Sequence, residues 1–214
     1  MTTNDTNAAG VAAPCLEVFS ALTPHAIVER YRNGLVALDP RVLEMDDDVA
    51  DRWFEPQDHV GLWSARALLT HLMDVEILNA MRIRRVLAEE NPVFENWDEH
   101  AFLDSRLSRP GPDALLMPSG ACVATVHTLR QTLASMLVQL SPEDWERKAM
   151  TPYQGEVTLL DIVRYVTWHL EHHAAFLNAK VNLVLGPAAE GDTSFEGCGE
   201  GCACASQSNE QTAG

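Results

Sequence analysis

The segment from Cys122 to Leu140 constrains this chain most. Cys122, Val126, Leu129, Leu133, Met136 and Leu140 stand at i, i+4, i+7, i+11, i+14 and i+18. That is the period of an α-helix carrying one apolar stripe. Such a stripe is stable only when it packs against other helices, so the rest of the chain must supply them.

Three further segments have the same period. One follows Thr23-Pro24, a cap residue with proline in the first turn, and repeats Ile27, Tyr31, Leu35 and Leu38 on one face until Pro40. A second starts near Ser64 and runs "SARALLTHLMDVEILNAMRIRRVLAEE" to Asn91-Pro92. A fourth starts at Thr158, with Asp161 three residues on as a capping-box partner. "SPEDWER" predicts a short extra helix capped by Ser141. Strand signals are few: "GEVTL" is the one short run, and its Thr158 serves better as a helix cap.

Residues 91–119 separate the second and third helices and hold four prolines. A connection this long can cross a bundle and set two successive helices parallel. The expected fold is all-α, a four-helix bundle with a long crossover between helices two and three. Composition shifts bound it. Residues 1–15 are rich in Thr, Asn, Ala and Gly and are expected to be disordered; 16–185 form the bundle; 186–214 form a flexible Gly/Cys-rich tail.

The formal charge is −16. An acidic surface repels nucleic acid and anionic membranes. Arg82, Arg84 and Arg85 form a local basic cluster, read as a solvated helix face near Glu89 and Glu90. No signal peptide or spanning apolar run is evident, so a cytoplasmic protein is the expectation. Five cysteines, an odd number, fit thiols in a reducing compartment.

Histidines interrupt the fourth stripe. Ile162, Val166, His169, His173 and Phe176 fall at i, i+4, i+7, i+11 and i+14. His169 and His173 thus occupy core positions one turn apart, while His172 is displaced to a flank with Tyr165 and Trp168. Two imidazoles at i and i+4 can chelate one metal. On the second helix His71 shares an inward face with Val75 and Leu78. Three neutral imidazoles leave a coordination position open for water or substrate. The competing explanation is ordinary core histidines satisfied by hydrogen bonds. Burying three polar rings without partners would cost several kcal/mol in sum, which favours a shared metal.

"WSARALLTHLMDVE" and "GEVTLLDIVRYVTWHLEHHAAFLNA" resemble the DinB/YfiT-like superfamily of metalloenzymes, over roughly residues 20–183. The resemblance implies a four-helix bundle with the long crossover. It also implies one divalent metal (zinc, nickel or iron) on His71, His169 and His173, with His172 beside the ligands rather than among them. Relatives implied by it include S-transferases and isomerases that use low-molecular-weight thiols, and metal-dependent hydrolases. The substrate is then a small molecule, with a low-molecular-weight thiol as one candidate.

Asp74, Tyr165 and His100 are candidate catalytic groups. Asp74 lies one turn after His71, and Tyr165 one turn before His169. His100 lies in the long connection with Trp97, Asp98, Glu99 and Phe102, the expected pocket wall or lid. In the tail, Cys198, Cys202 and Cys204 form a C-x3-C-x-C array able to share a soft metal. Cys122 reads as core and Cys15 carries no argument. The leading function is therefore a metal-dependent thiol transferase or hydrolase. The alternatives are a metal buffer using the bundle site and the tail cysteines, and a bundle stapled by its metal. Exposed apolar helix faces are compatible with a homodimer.

Overall fold

The computed structural model describes residues 10–188. Its helices are α1 (Leu16–Ser20), α2 (Pro24–Arg32), α3 (Asp47–Ala50), α4 (Ala65–Ala88), α5 (Glu99–Leu103), α6 (Ser119–Leu137), α7 (Pro142–Trp145) and α8 (Leu159–Leu185). The chain forms a four-helix bundle of α2, α4, α6 and α8.

Local chemistry sets the helix starts. Thr23 and Ser64 accept hydrogen bonds from the amides of Ala26 and Ala67, at 3.4 and 3.1 Å. Thr158 and Asp161 close a full capping box: the Asp161 amide donates to Thr158 Oγ1 at 3.1 Å, and the Thr158 amide donates to Asp161 Oδ2 at 3.0 Å. Ser141 and Asp144 form the same device at α7. Each such cap satisfies helix-end amides that would otherwise lack partners.

Cross-helix hydrogen bonds reveal the topology. Arg66 Nη1 reaches the Met117 carbonyl, Thr70 meets Cys122, and Glu76 meets Arg130. Both numbers rise together, so α4 and α6 run parallel and the connection between them does cross the bundle. Leu22 pairs with Arg164 and Arg30 with Glu171, so α2 and α8 are also parallel. Lys180 binds the Val60 and Gly61 carbonyls just before α4, while His71 meets His169, so α4 and α8 are antiparallel.

Three elements depart from the sequence expectation. The first predicted helix stops at Arg32, and a 3-10 turn carries Gly34–Ala37. Gly34 lies against the Arg130 guanidinium, which occupies the space a Cβ would need. Two strands also form, β1 (Lys148–Thr151) and β2 (Gly155–Thr158), an antiparallel hairpin pairing Lys148 with Thr158. "GEVT" is thus a strand after all, because its partner "KAMT" supplies the ladder and Thr158 serves both as last strand residue and as helix cap. The hairpin also holds the start of the crossover: the Phe94 amide donates to the Met150 carbonyl, and the Met150 amide to that of Pro92, both at 2.9 Å. Finally, residues 10–15 differ from a disordered lead-in. Val11 and Ala13 pack on the core, and the Pro14 carbonyl accepts from Trp168 Nε1 at 2.9 Å.

Inside the bundle sits a charged network. Arg130 is 1% exposed and Glu76 is 1% exposed. Arg130 Nε donates to Glu76 Oε2 at 2.8 Å, Nη1 to the Tyr31 carbonyl at 3.2 Å, and Nη2 to the Val166 carbonyl at 2.9 Å. Tyr31 donates its hydroxyl to Glu76. Four hydrogen bonds tie α2, α4, α6 and α8 together at one level. Among the described residues no helix is long and apolar enough to cross a membrane.

Candidate metal centre

Two helices bring three imidazoles together. His71 lies in the second turn of α4, on the face toward α8. His169 and His173 lie one turn apart on the middle of α8 and meet it. The antiparallel α4–α8 seam makes the encounter: the apolar stripes of both helices are buried, so residues in register on them must touch. All three rings are buried, with 2%, 7% and 5% exposure. Each offers a ring nitrogen, and these nitrogens lie within 4.8 Å of one another.

The geometry fits a cation. His71 Nε2 and His169 Nε2 are 3.3 Å apart. Two nitrogens about 2.05 Å from a tetrahedral zinc would stand about 3.3–3.4 Å apart. Hydrogen bonding among the rings does not account for the cluster, because Nδ1 of His173 is buried with no hydrogen-bond partner among the described residues. A buried polar atom left so is costly.

Electrostatics keep the rings in the ligand form. Burial, then the neighbouring His100, pushes His71 down to about 4. Burial first, then the other imidazoles, holds His169 and His173 well below the usual histidine range. All three are neutral at pH 7, with lone pairs available to a metal.

Aromatic rings wall the cluster. Trp63, which precedes the α4 cap, places its ring 5.2 Å from His71 and 5.9 Å from His173. Trp97, from the crossover, stacks on His71 at 6.0 Å and is itself braced by Phe102 at 5.2 Å. A cavity of about 210 Å³ reaches the cluster at His169. Its walls come from α4 (Val75, Asn79, Arg82), the crossover (Phe94, Trp97, Asp98, Glu99, His100), the hairpin (Tyr153, Gln154, Val157) and α8 (Ile162, Tyr165).

A sequence model of the DinB superfamily matches residues 15–177. The chain belongs to the DinB superfamily. Two relatives of this DinB chain share one description. A protein of Oceanobacillus iheyensis called "Putative metal-dependent hydrolase" is 24% identical over 162 residues, covering 75% of this chain and 90% of that protein. A Bacillus mycoides protein of the same description is 22% identical over 153 residues, covering 72% and 84%. Among solved structures, Bacillus subtilis YfiT superposes with a TM-score of 0.66 at 19% identity, covering 84% of this chain and 97% of that one. YfiT is described as "a probable metal-dependent hydrolase with an unusual four-helix bundle topology". The likeness shows a shared fold.

The structure places the remaining predicted residues unequally. Tyr165 and His100 line the cavity. The Tyr165 ring lies 5.8 Å from His169, and burial pushes its phenol up to about 12. Asp74 does not line the cavity; it is half-buried, and burial raises its carboxyl to about 6. His172 stays off the cluster, against Trp168 and Phe176. Cys198, Cys202 and Cys204 lie outside the described residues. Cys122 is fully buried beside Thr70.

Two site features escaped the sequence. Trp63 sits before α4 and has no periodic signal. The sequence reads Arg82 as part of a solvated face, but it lines the cavity, while Arg84 is exposed and Arg85 pairs with Glu89. A signal existed: Arg82 follows His71 by eleven residues, three helical turns, so both share one face.

Proposed function

We propose that this DinB chain is a metal-dependent enzyme of hydrolase or thiol S-transferase type. One divalent ion (zinc, nickel or iron) would be held by His71, His169 and His173. The observation that carries this reading is the convergence of three buried, neutral imidazoles, one of which, His169, lines a cavity. When bound, such an ion lowers the pKa of a coordinated thiol or water and yields an anionic nucleophile near neutral pH.

The chain's own residues do the rest. Trp63 and Trp97 pack around the histidines and exclude bulk water, which strengthens every electrostatic interaction inside. Tyr165 stays protonated across the physiological range and is a hydrogen-bond donor toward the substrate. His100 lines the same wall, close enough to lower the pKa of His71, and is placed to accept or return a proton.

Elemental analysis tests the reading. Purified wild type should carry one divalent ion per chain, and the variant His71→Ala/His169→Ala/His173→Ala none. Equal metal in both would refute it. Cobalt-substituted protein then separates the two chemistries. A bound thiol gives an intense sulfur-to-cobalt charge-transfer band, and a site reserved for water gives none on thiol addition.

A further inference from the structure

Arg82 is the one lysine or arginine lining the cavity among the described residues. It is half-buried and makes no ion pair with them. Its guanidinium rests over the Phe94 ring, 5.4 Å from the centroid, and spends a single long hydrogen bond, 3.4 Å, on the Glu95 carbonyl. Other withdrawn arginines are engaged: Arg147 gives two short hydrogen bonds, 2.7 and 2.8 Å, to the Val86 and Glu89 carbonyls, and three more meet carboxylates. Arg66 is held by Asp47 and Asp51, Arg85 by Glu89, and Arg130 by Glu76. Asp98 and Glu99 line the same cavity but neither forms an ion pair with Arg82, and a half-buried guanidinium left so is poised for an anion from outside.

We propose that Arg82 is a carboxylate-binding residue, and that the ligand of this cavity is a small molecule with a carboxylate at the end remote from its reacting group. The reacting end rests on the metal reading above; the carboxylate end stands on Arg82 alone. Helix geometry sets the spacing. His71 and Arg82 are eleven residues apart on one face of α4, about 16 Å along the axis. Helix side chains lean toward the N-terminus, so the long Arg82 side chain closes part of that gap. The ligand spans roughly 10 Å between its two ends. Tyr165 lines the interval and is a neutral donor along the way. A carboxylate suits the site better than a phosphate dianion, because Asp98 and Glu99 line the same cavity and repel the second charge.

The test uses 6-mercaptohexanoate and its uncharged counterpart 6-mercaptohexanol, which share one thiol and one chain length. Both are titrated calorimetrically into wild type, Arg82→Gln and Arg82→Lys, after zinc content is measured. Wild type should bind the carboxylate roughly ten-fold tighter or more, as expected for a charge-assisted pair. Arg82→Gln should lose that preference while keeping its zinc and its affinity for the alcohol. Arg82→Lys should keep part of it, since the charge remains without the fork. Equal binding of the two thiols to wild type, a preference that survives Arg82→Gln, or no binding of either would overturn the proposal. Failure of the metal reading shows separately, as wild type without zinc. The carboxylate preference and its dependence on Arg82 are then read on that zinc-free protein.

Discussion

The Nε2 atoms of His71 and His169 face each other at 3.3 Å across the seam between α4 and α8. Two neutral rings meet here with one proton to share, or with a cation between them. Neither arrangement tolerates protonation of both rings. Acid should therefore attack this seam first.

In protein stripped of metal with a chelator, stability should fall as pH drops from about 6.5 toward 4. His71 is held down at about 4 in the fold, and burial holds His169 and His173 well below the usual histidine range, whereas unfolded histidines titrate near 6.5. Between those values the unfolded chain binds more protons, so acidification favours unfolding. Each buried histidine contributes up to about 1.4 kcal/mol per pH unit in that window. Asp74, raised to about 6, opposes this below that pH, but it is one group against three. Urea denaturation at pH 7.5 and 5.0 measures the difference, and unchanged stability would contradict buried neutral imidazoles.

Arg130→Met should destabilise the fold by about 3–5 kcal/mol, because it strands Glu76 as a buried charge. The double variant Arg130→Met/Glu76→Gln should recover much of that loss. Denaturant unfolding of both singles and the double gives the coupling between them. Additive effects would mean the pair does not act as a unit.

That network marks how far sequence could lead. The periods of three long helices and the start of the first, the caps at Thr23, Ser141 and Thr158, and the crossover were legible, because each rests on local spacing. The three histidines were legible because polar rings on an apolar stripe break the pattern. Arg130 and Glu76 break the same pattern, yet a charged residue on a helix normally means solvent. What buries them is a partner over fifty residues away, which no window contains. The hairpin was missed for a related reason, since neither four-residue strand stands alone without the other. Trp63 and the placement of Arg82 in the cavity depend on how the crossover folds back, a tertiary fact.

Gly34→Ala tests the close approach of Gly34 to Arg130. The added methyl would overlap Arg130 Nη1. A flexible arginine could move aside at little cost, but this one is fixed by three hydrogen bonds in the core. The expected loss is about 1–3 kcal/mol, the usual range for overpacking. Thermal melting measures it, and the Arg130→Met background should abolish most of the effect. A full effect in that background would place the strain elsewhere.

Tryptophan emission should report which metal sits in the centre. Trp63 and Trp97 lie 5.2 and 6.0 Å from His71, and Trp168 lies 6.3 Å from His169. An open-shell ion such as nickel or cobalt quenches an indole at that range, whereas zinc, with a filled d shell, does not. Titrating metal-free protein with nickel should dim the fluorescence to a one-to-one endpoint, and zinc should block the change when added first. Trp63→Phe/Trp97→Phe should lose most of the quenching while still binding nickel. His71→Ala should lose the quenching together with the metal. Quenching that persists in His71→Ala/His169→Ala/His173→Ala would move the metal away from the α4–α8 seam, and the three imidazoles would then need another explanation for their burial.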